Sequence, residues 1–360
     1  MDTNIILSID AMGGANAPQS VIEGLEIVCK QHDNISFLLF GKQSEIEPLL
    51  SNTQKLKNCS TIYDCATVIC DNEQPVKAMK SGVESSMRAA IDATTLHGAH
   101  ACISSGSTGA LMVMAKIRLG MLSGIKRPAI VSVFPNRAKG TVMLDLGANA
   151  ECDVTHLSQF AIMGLCFAKI VLGLDNSPPS LGILNMGTES YKGRSVDREL
   201  AQLLSQTNLD FRGFVEGHDL SEGTIDVVVT DGFTGNIALK VAEGVAKTCL
   251  HYMKHGFKSS FFSRIGALLA SRGLKKSFSI IDPRHYNGAM LIGLNKIVVK
   301  SHGSSDATSF ANAVNVAINL VKQNINDKII DMMEQQKDFL TSHRRGSPDA
   351  PSPKTTPNPR

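Results

Sequence analysis

The sequence predicts an α/β protein, a doubly wound α/β/α sandwich around a mainly parallel sheet, and three observations carry that expectation. Six times an apolar run stops at a short polar loop containing glycine. Helical patterns follow most of these loops, so strands and helices alternate, as they do in parallel sheets covered on both faces. The chain's 360 residues, 43% of them hydrophobic, are enough for one large or two intimate α/β units.

The units follow in order along the chain. IILSID (5–10) runs into AMGGANAP, with Gly13 and Gly14. ACI (101–103) runs into SSGSTGA, with Ser105, Gly106, Ser107, Thr108 and Gly109. TVMLD (141–145) precedes LGANAE, which holds Asn149, and LGILN (181–185) precedes MGTESYKG, with Gly187, Thr188, Glu189 and Lys192. DVVVT (226–230) leads to DGFTGN, with Asp231, Gly232, Thr234, Gly235 and Asn236. Behind that loop Ala238, Val241, Ala242, Val245 and Cys249 share one face at the helical period. KIVVK (296–300) ends in SHGSSDA, with His302, Gly303, Ser304, Ser305 and Asp306.

In a doubly wound sheet the loops after the strand C-termini share one edge, where ligands bind. Glycine lets backbone amides approach an oxyanion, a helix N-terminus adds a favourable dipole, and Ser and Thr add donors. The expectation is an anion site, read as phosphate, on which several of these loops converge. Each loop taken alone also fits a turn with a Ser, Thr or Asn helix cap. G-x-x-x-x-G-K-[ST] is absent, as are G-x-G-x-x-G and G-x-S-x-G. If acyl chemistry occurs here, the nucleophile is therefore the bound anion itself.

A formal net charge of +3 gives no indication of nucleic acid. The opening MDTNIILSID leads directly into a strand, without the basic start and long apolar core of a leader, and no apolar run approaches a bilayer span; a cytoplasmic protein is expected. None of the eight cysteines forms C-x-x-C, so reduced structural thiols are expected. No histidine cluster has metal-ligand spacing, and neither a metal nor a cofactor is expected.

The pieces DAMGG-x-NAP (10–18), SSGSTGAL (104–111), LDLGAN (144–149), GTESYKG (187–193), TDGFTGN (230–236), DPRHYNGA (282–289) and LIGLNKIVVKSHGSSDA (291–307) resemble, in order, those of the phosphate acyltransferases of bacterial phospholipid synthesis, the PlsX family. The resemblance covers residues 4 to 325. It implies an isocitrate/isopropylmalate dehydrogenase-like α/β/α fold, usually a homodimer, also similar to phosphotransacetylases. It implies conversion of a long-chain acyl carrier protein (acyl-ACP) and inorganic phosphate into acyl phosphate and free carrier protein. The product would then feed a membrane glycerol-phosphate acyltransferase. Three positions depart from the pattern: Ala15 stands for an Asp, Ser107 for the Asn of GNTGAL, and Asn287 for a Gly of YGGA.

That reaction must hold a dianion and stabilise a tetrahedral oxyanion, tasks for positioned amides and a cation. Lys192, in its glycine-bounded loop, is the candidate cation, which the resemblance favours over a surface lysine. Asn236 caps the following helix or donates to phosphate or carbonyl oxygen; Asp231 orients Lys192 or Asn236, or caps. Ser304, Ser305 and Asp306 begin a helix or line the pocket. Arg137 and Lys139, in FPNRAKG, are further candidate anion holders.

KHGFKSSFFSRIGALLASRGLKKSF (254–278) has no acidic residue. Lys254, Lys258, Arg264, Arg272, Lys275 and Lys276 accompany Phe257, Phe261, Phe262, Ile265, Leu268 and Leu269 at helical spacing. Residues 254–281 are thus expected to form a basic amphipathic segment facing an anionic membrane and the acidic carrier. A core helix with a basic edge, or a dimer contact, is the alternative. One catalytic α/β unit is expected over 1–335, its last stretch, INDKIIDMMEQQKDFL, helical, followed by a disordered tail at 342–360. Two other readings remain open: a phosphotransacetylase-like enzyme using a short acyl-CoA, and a non-catalytic membrane scaffold for lipid-synthesis enzymes.

Overall fold

The computed structural model describes residues 4–70, 73–174, 177–271, 273 and 283–336. The tail and the basic residues Arg272, Lys275 and Lys276 lie outside the described residues. The first strands are β1 (Ile5–Asp10), β2 (Ile35–Gly41), β3 (Ser60–Asp64) and β4 (Ala101–Ser104). Next come β5 (Ala129–Phe134), β6 (Thr141–Leu144), β7 (Leu181–Leu184) and β8 (Phe211–Val215), then β9 (Val227–Val229), β10 (Ala289–Ile292) and β11 (Ile297–Lys300). They form one sheet in the order β3-β2-β1-β4-β11-β10-β5-β6-β9-β7-β8. All six expected strand–loop units are present, each followed by a helix.

The sheet departs from the expected single edge. β3, β2, β1, β4 and β11 are mutually parallel, and so are β6, β9, β7 and β8. Between the two blocks the pairs β11/β10, β10/β5 and β5/β6 are antiparallel. Three reversals leave the blocks running in opposite senses. The loops after β1, β4 and β11 therefore gather in one cluster, and those after β6, β7 and β9 in another.

The helix Val154–Val171 lies at the centre of the core, with Phe160, Ala161, Ile162 and Met163 fully buried. It is long and apolar enough to cross a bilayer, yet 83% of it is buried inside the protein. Asp153 starts it by accepting from the His156 amide. Burial of a phenylalanine such as Phe160 contributes about 1.5–3 kcal/mol, which makes this helix the main hydrophobic tie of the second block. The expected C-terminal helix spans Ile325–Gln335 and buries Ile325, Ile329 and Met333; the Cys166 thiol reaches the Lys328 carbonyl at 3.6 Å.

Helix Gly232–Lys258 follows β9, and Phe261–Leu269 follows it. The predicted face is split: Ala238 and Ala242 pack against the core, while Val241 and Val245 are exposed and with Phe233 and Ile237 form an apolar stripe along the helix. Periodicity fixes a common face but not what that face meets. The basic segment is broken at Ser259–Ser260, where the Ser260 hydroxyl accepts from the Ser263 amide and starts the second helix. On that second helix Phe262 and Leu269 are 83% and 81% exposed.

Candidate active site

The first loop cluster is tied to Asp10, at the end of β1. Its buried carboxylate accepts from the Ser86 hydroxyl at 2.7 Å and the Ser104 hydroxyl at 2.6 Å. Burial pushes the Asp10 carboxyl above the usual carboxylate range, against those two bonds. Gly13 and Gly14 cross over Ser105 and Gly106. Gly14 has φ +96°, and a Cβ there would lie 2.9 Å from both the Gly303 carbonyl oxygen and Ser105 Cβ, so only glycine fits. The Ala15 amide donates to the Gly303 carbonyl at 2.7 Å. This loop is therefore held through its backbone, and the exposed Ala15 side chain leaves that tie intact.

Lys300, which the sequence reading did not single out, is buried beneath this cluster. Its ammonium group donates to the Ser105 carbonyl at 3.0 Å and to the Ser301 carbonyl. Asn287, one of the departures, pins the last loop: its amide reaches the Ser301 hydroxyl and the Ser309 carbonyl, both at 2.7 Å, and its carbonyl accepts from the His302 amide at 2.9 Å. Ser305 bonds the His302 carbonyl, while Asp306 is the helix cap, accepting from the Ser309 amide at 2.9 Å. Ser107 precedes the helix Thr108–Leu119, where Thr108 and Gly109 form the first turn, without making a side-chain cap bond.

The second cluster holds Asn149, Gly187, Thr188, Glu189, Lys192, Asp231, Gly232, Thr234, Gly235 and Asn236. Its floor is Asp145, at the end of β6. Oδ1 accepts from the amides of Ile130, Gly147 and Ala148, and Oδ2 from the amide and side chain of Asn149. Burial pushes the Asp145 carboxyl up, against the pull of those five donors. The start of helix Gly232–Lys258 rests on this turn. The Gly232 amide donates to the Asn149 carbonyl at 2.8 Å, and a Cβ at Gly235 would collide with the Asp145 carbonyl. Asn236 lies against Gly147, in the second helical turn, so the cap is Asp231 and not Asn236.

Lys192 folds over Gly187, where a Cβ would come within 2.7 Å of its ammonium nitrogen. That nitrogen pairs with Glu189 at 2.9 Å, and the lysine holds the Glu189 carboxyl below the usual range. Asp231 makes no hydrogen bond or ion pair with Lys192 or Asn236. It accepts from the Thr234 amide at 2.8 Å and the Thr234 hydroxyl at 3.0 Å, and it pairs with Arg194. Burial alone would raise the Asp231 carboxyl; the Thr234 amide and Arg194 more than offset that and hold it below the usual range.

The clusters are linked by the helix Gly232–Lys258. Lys240 and Lys247, farther along it, act on His302 in the first cluster. Burial, then Lys240, Lys300 and Lys247, push His302 below the usual histidine range, with Glu243 opposing. The Ser304 amide lies 3.2 Å from Nδ1, which makes Nδ1 the acceptor and leaves the proton on Nε2. Arg137 and Lys139 join neither cluster: the Arg137 amide donates to the Ser221 carbonyl, beyond the N-terminal end of β6.

Residues 5–328 match the model of a family described as fatty acid synthesis protein. A phosphate acyltransferase from Rhodospirillum rubrum is 45% identical over 333 residues, 92% of this chain and 95% of that one. One from Rhodospirillum centenum is 46% identical, with 92% and 93% covered. In structure, a phosphotransacetylase from Streptococcus pyogenes superposes with a TM-score of 0.59 at 16% identity, covering 89% of this chain and 94% of that one. A branched-chain phosphotransacylase from Enterococcus faecalis gives 0.52 at 13%, covering 88% and 99%. These two support the α/β/α sandwich alone. The family match and the close relatives support more: the chain belongs to the phosphate acyltransferase family and is an enzyme of that type.

Proposed function

We propose that the enzyme transfers a long-chain acyl group from an acyl carrier protein thioester to inorganic phosphate, making acyl phosphate for phosphatidic acid synthesis. The observation that carries this reading is the second cluster: the loop of Lys192 after β7 and the helix of Asn236 after β9 leave one sheet edge and are tied by the Arg194–Asp231 pair. Orthophosphate binds at the Lys192 ammonium group, near the positive end of helix Gly232–Lys258, whose Gly232 and Thr234 amides are engaged by the Asn149 carbonyl and Asp231. The exposed Lys192–Glu189 pair is weak, so phosphate exchanges readily for Glu189.

A phosphate oxygen attacks the thioester carbonyl carbon, forming a C–O bond. The carbonyl oxygen becomes an oxyanion, to which Asn236 donates, and collapse breaks the C–S bond. The thiolate leaves and takes up a proton. Asp231 does not touch the reacting atoms; as cap and partner of Arg194 it fixes the helix start. The loops with Gly13, Gly14, Ser105–Gly109 and His302–Asp306, which helix Gly232–Lys258 approaches through Lys240, receive the donor.

The exposed Phe261, Phe262, Leu268 and Leu269, beside Lys258 and Arg264, favour a cytoplasmic enzyme resting on an anionic membrane, where the product passes to a glycerol-phosphate acyltransferase. The stripe from Phe233 to Val245 favours a second copy of this chain as its cover, giving a homodimer. A short acyl-CoA donor would not require this apolar tip. The test is release of free thiol. Phosphate-dependent release from a long-chain acyl carrier protein, exceeding that from acetyl-CoA, supports the reading; release only from acetyl-CoA, or none, removes it.

A further inference from the structure

We propose that Arg194 is a second phosphate-binding cation, held from behind by two buried carboxylates so that its open edge faces the anion. The proposal rests on the phosphate site placed above at Lys192 and the start of helix Gly232–Lys258. Arg194 lies two residues beyond Lys192 and just outside the GTESYKG motif, and it immediately precedes the helix Ser195–Leu204.

Its guanidinium is held by two carboxylates through three of its N–H groups. Nε donates to Asp197 Oδ2 at 2.8 Å, Nη2 to Asp197 Oδ1 at 2.9 Å, and Nη1 to Asp231 Oδ2. Both carboxylates are buried, with side chains 4% and 3% exposed, whereas the arginine side chain is 50% exposed. An arginine has five N–H groups in a fixed plane. The three contacts above use one N–H on each nitrogen and leave one N–H on each terminal nitrogen for a further acceptor. Two such N–H groups can reach the oxygens of one phosphate.

Position supports the assignment. Asp231 caps the helix whose start forms one wall of the site, and Lys192 is on the loop that forms the other. Arg194 bridges the two walls, so the carboxylates fix its plane without occupying its outer edge. A residue serving only as an ion pair between buried acids would not need to remain half exposed beside the helix start.

The test uses the full-length protein with inorganic phosphate as probe. Arg194→Gln and Arg194→Lys are compared with Lys192→Ala by steady-state kinetics in both substrates and by the rise in Tm that orthophosphate produces. Arg194→Lys keeps a positive charge between the two acids, so the fold is retained even if Arg194→Gln fails to fold. Loss of two charge-assisted bonds is expected to raise the phosphate KM about 10- to 100-fold. The thioester KM should stay unchanged, and the phosphate-induced rise in Tm should shrink. An Arg194→Lys enzyme with wild-type phosphate KM overturns the proposal, and so does a lower Tm unaccompanied by any change in phosphate KM. If Lys192→Ala alone weakens phosphate, only Arg194 is wrongly assigned. If none of the variants does, the phosphate site itself is misplaced.

Discussion

Arg194 donates through Nη1 to the buried carboxylate of Asp231, and this one contact ties the loop that carries Lys192 to the helix that carries Asn236. The two elements come from different strands, β7 and β9, which are neighbours in the sheet. Their loops must leave the same edge, so side chains separated by more than forty residues share a site.

Lys192→Ala is expected to lower acyl phosphate formation by at least about 100-fold, the scale of losing one oxyanion-type contact. Its one ion pair, with Glu189, is exposed, so Tm should move by no more than about 2 °C. Phosphate-dependent thiol release and a thermal melt check both halves. Near-normal turnover would retire Lys192 as the phosphate cation.

Gly235→Ala separates helix propensity from packing. On propensity alone alanine should stabilise the helix by about 0.5–1 kcal/mol. The added methyl meets the Asp145 carbonyl, and overpacking of that kind costs about 1–3 kcal/mol. A net loss of stability in urea unfolding, with a raised phosphate KM, is expected. A net gain would mean that the helix does not rest on the Asp145 turn.

His302 should titrate below 6.5, since burial and the lysines around it disfavour its charged form. The unfolded chain then binds the proton first as pH falls. The His302 contribution to stability is therefore complete above 6.5 and lost as pH drops through the folded pKa. Lys240→Gln should bring the His302 pKa, followed by NMR, back toward 6.5. No change would mean that the helix after β9 does not approach the His302 loop.

For the membrane reading, Phe262→Ser combined with Leu269→Ser should weaken flotation with anionic vesicles about 100-fold, if each side chain contributes about 1.5 kcal/mol or more. Activity on a soluble donor should be retained. Equal flotation of this double variant and the wild type would remove the apolar tip from membrane contact.

Much of this fold was legible in the sequence because each of six strands announces itself by an apolar run that breaks at glycine. The reversal of the second block was not. It arises at β5 and β10, whose antiparallel pairing is a long-range choice with no local mark, so the loops were expected at one edge instead of two. The helical spacing marks Ala238, Val241, Ala242 and Val245 as one face but carries no information about its partner: Ala238 and Ala242 pack against the core while Val241 and Val245 are exposed. Arg194 escaped notice because it stands one residue outside a glycine-bounded motif, and its meaning depends on Asp231, thirty-seven positions away. Asn287 looked like a departure and is a pin; the hydroxyls it holds become its neighbours only when β10 pairs with β11.

Direct observation of the bound anion tests the account most sharply. Crystals of the full-length protein soaked in orthophosphate should show tetrahedral density against Lys192 Nζ and the outer edge of Arg194, near the start of helix Gly232–Lys258. Density confined to the loops around Ser105 and His302, with the Lys192 loop empty, would contradict it.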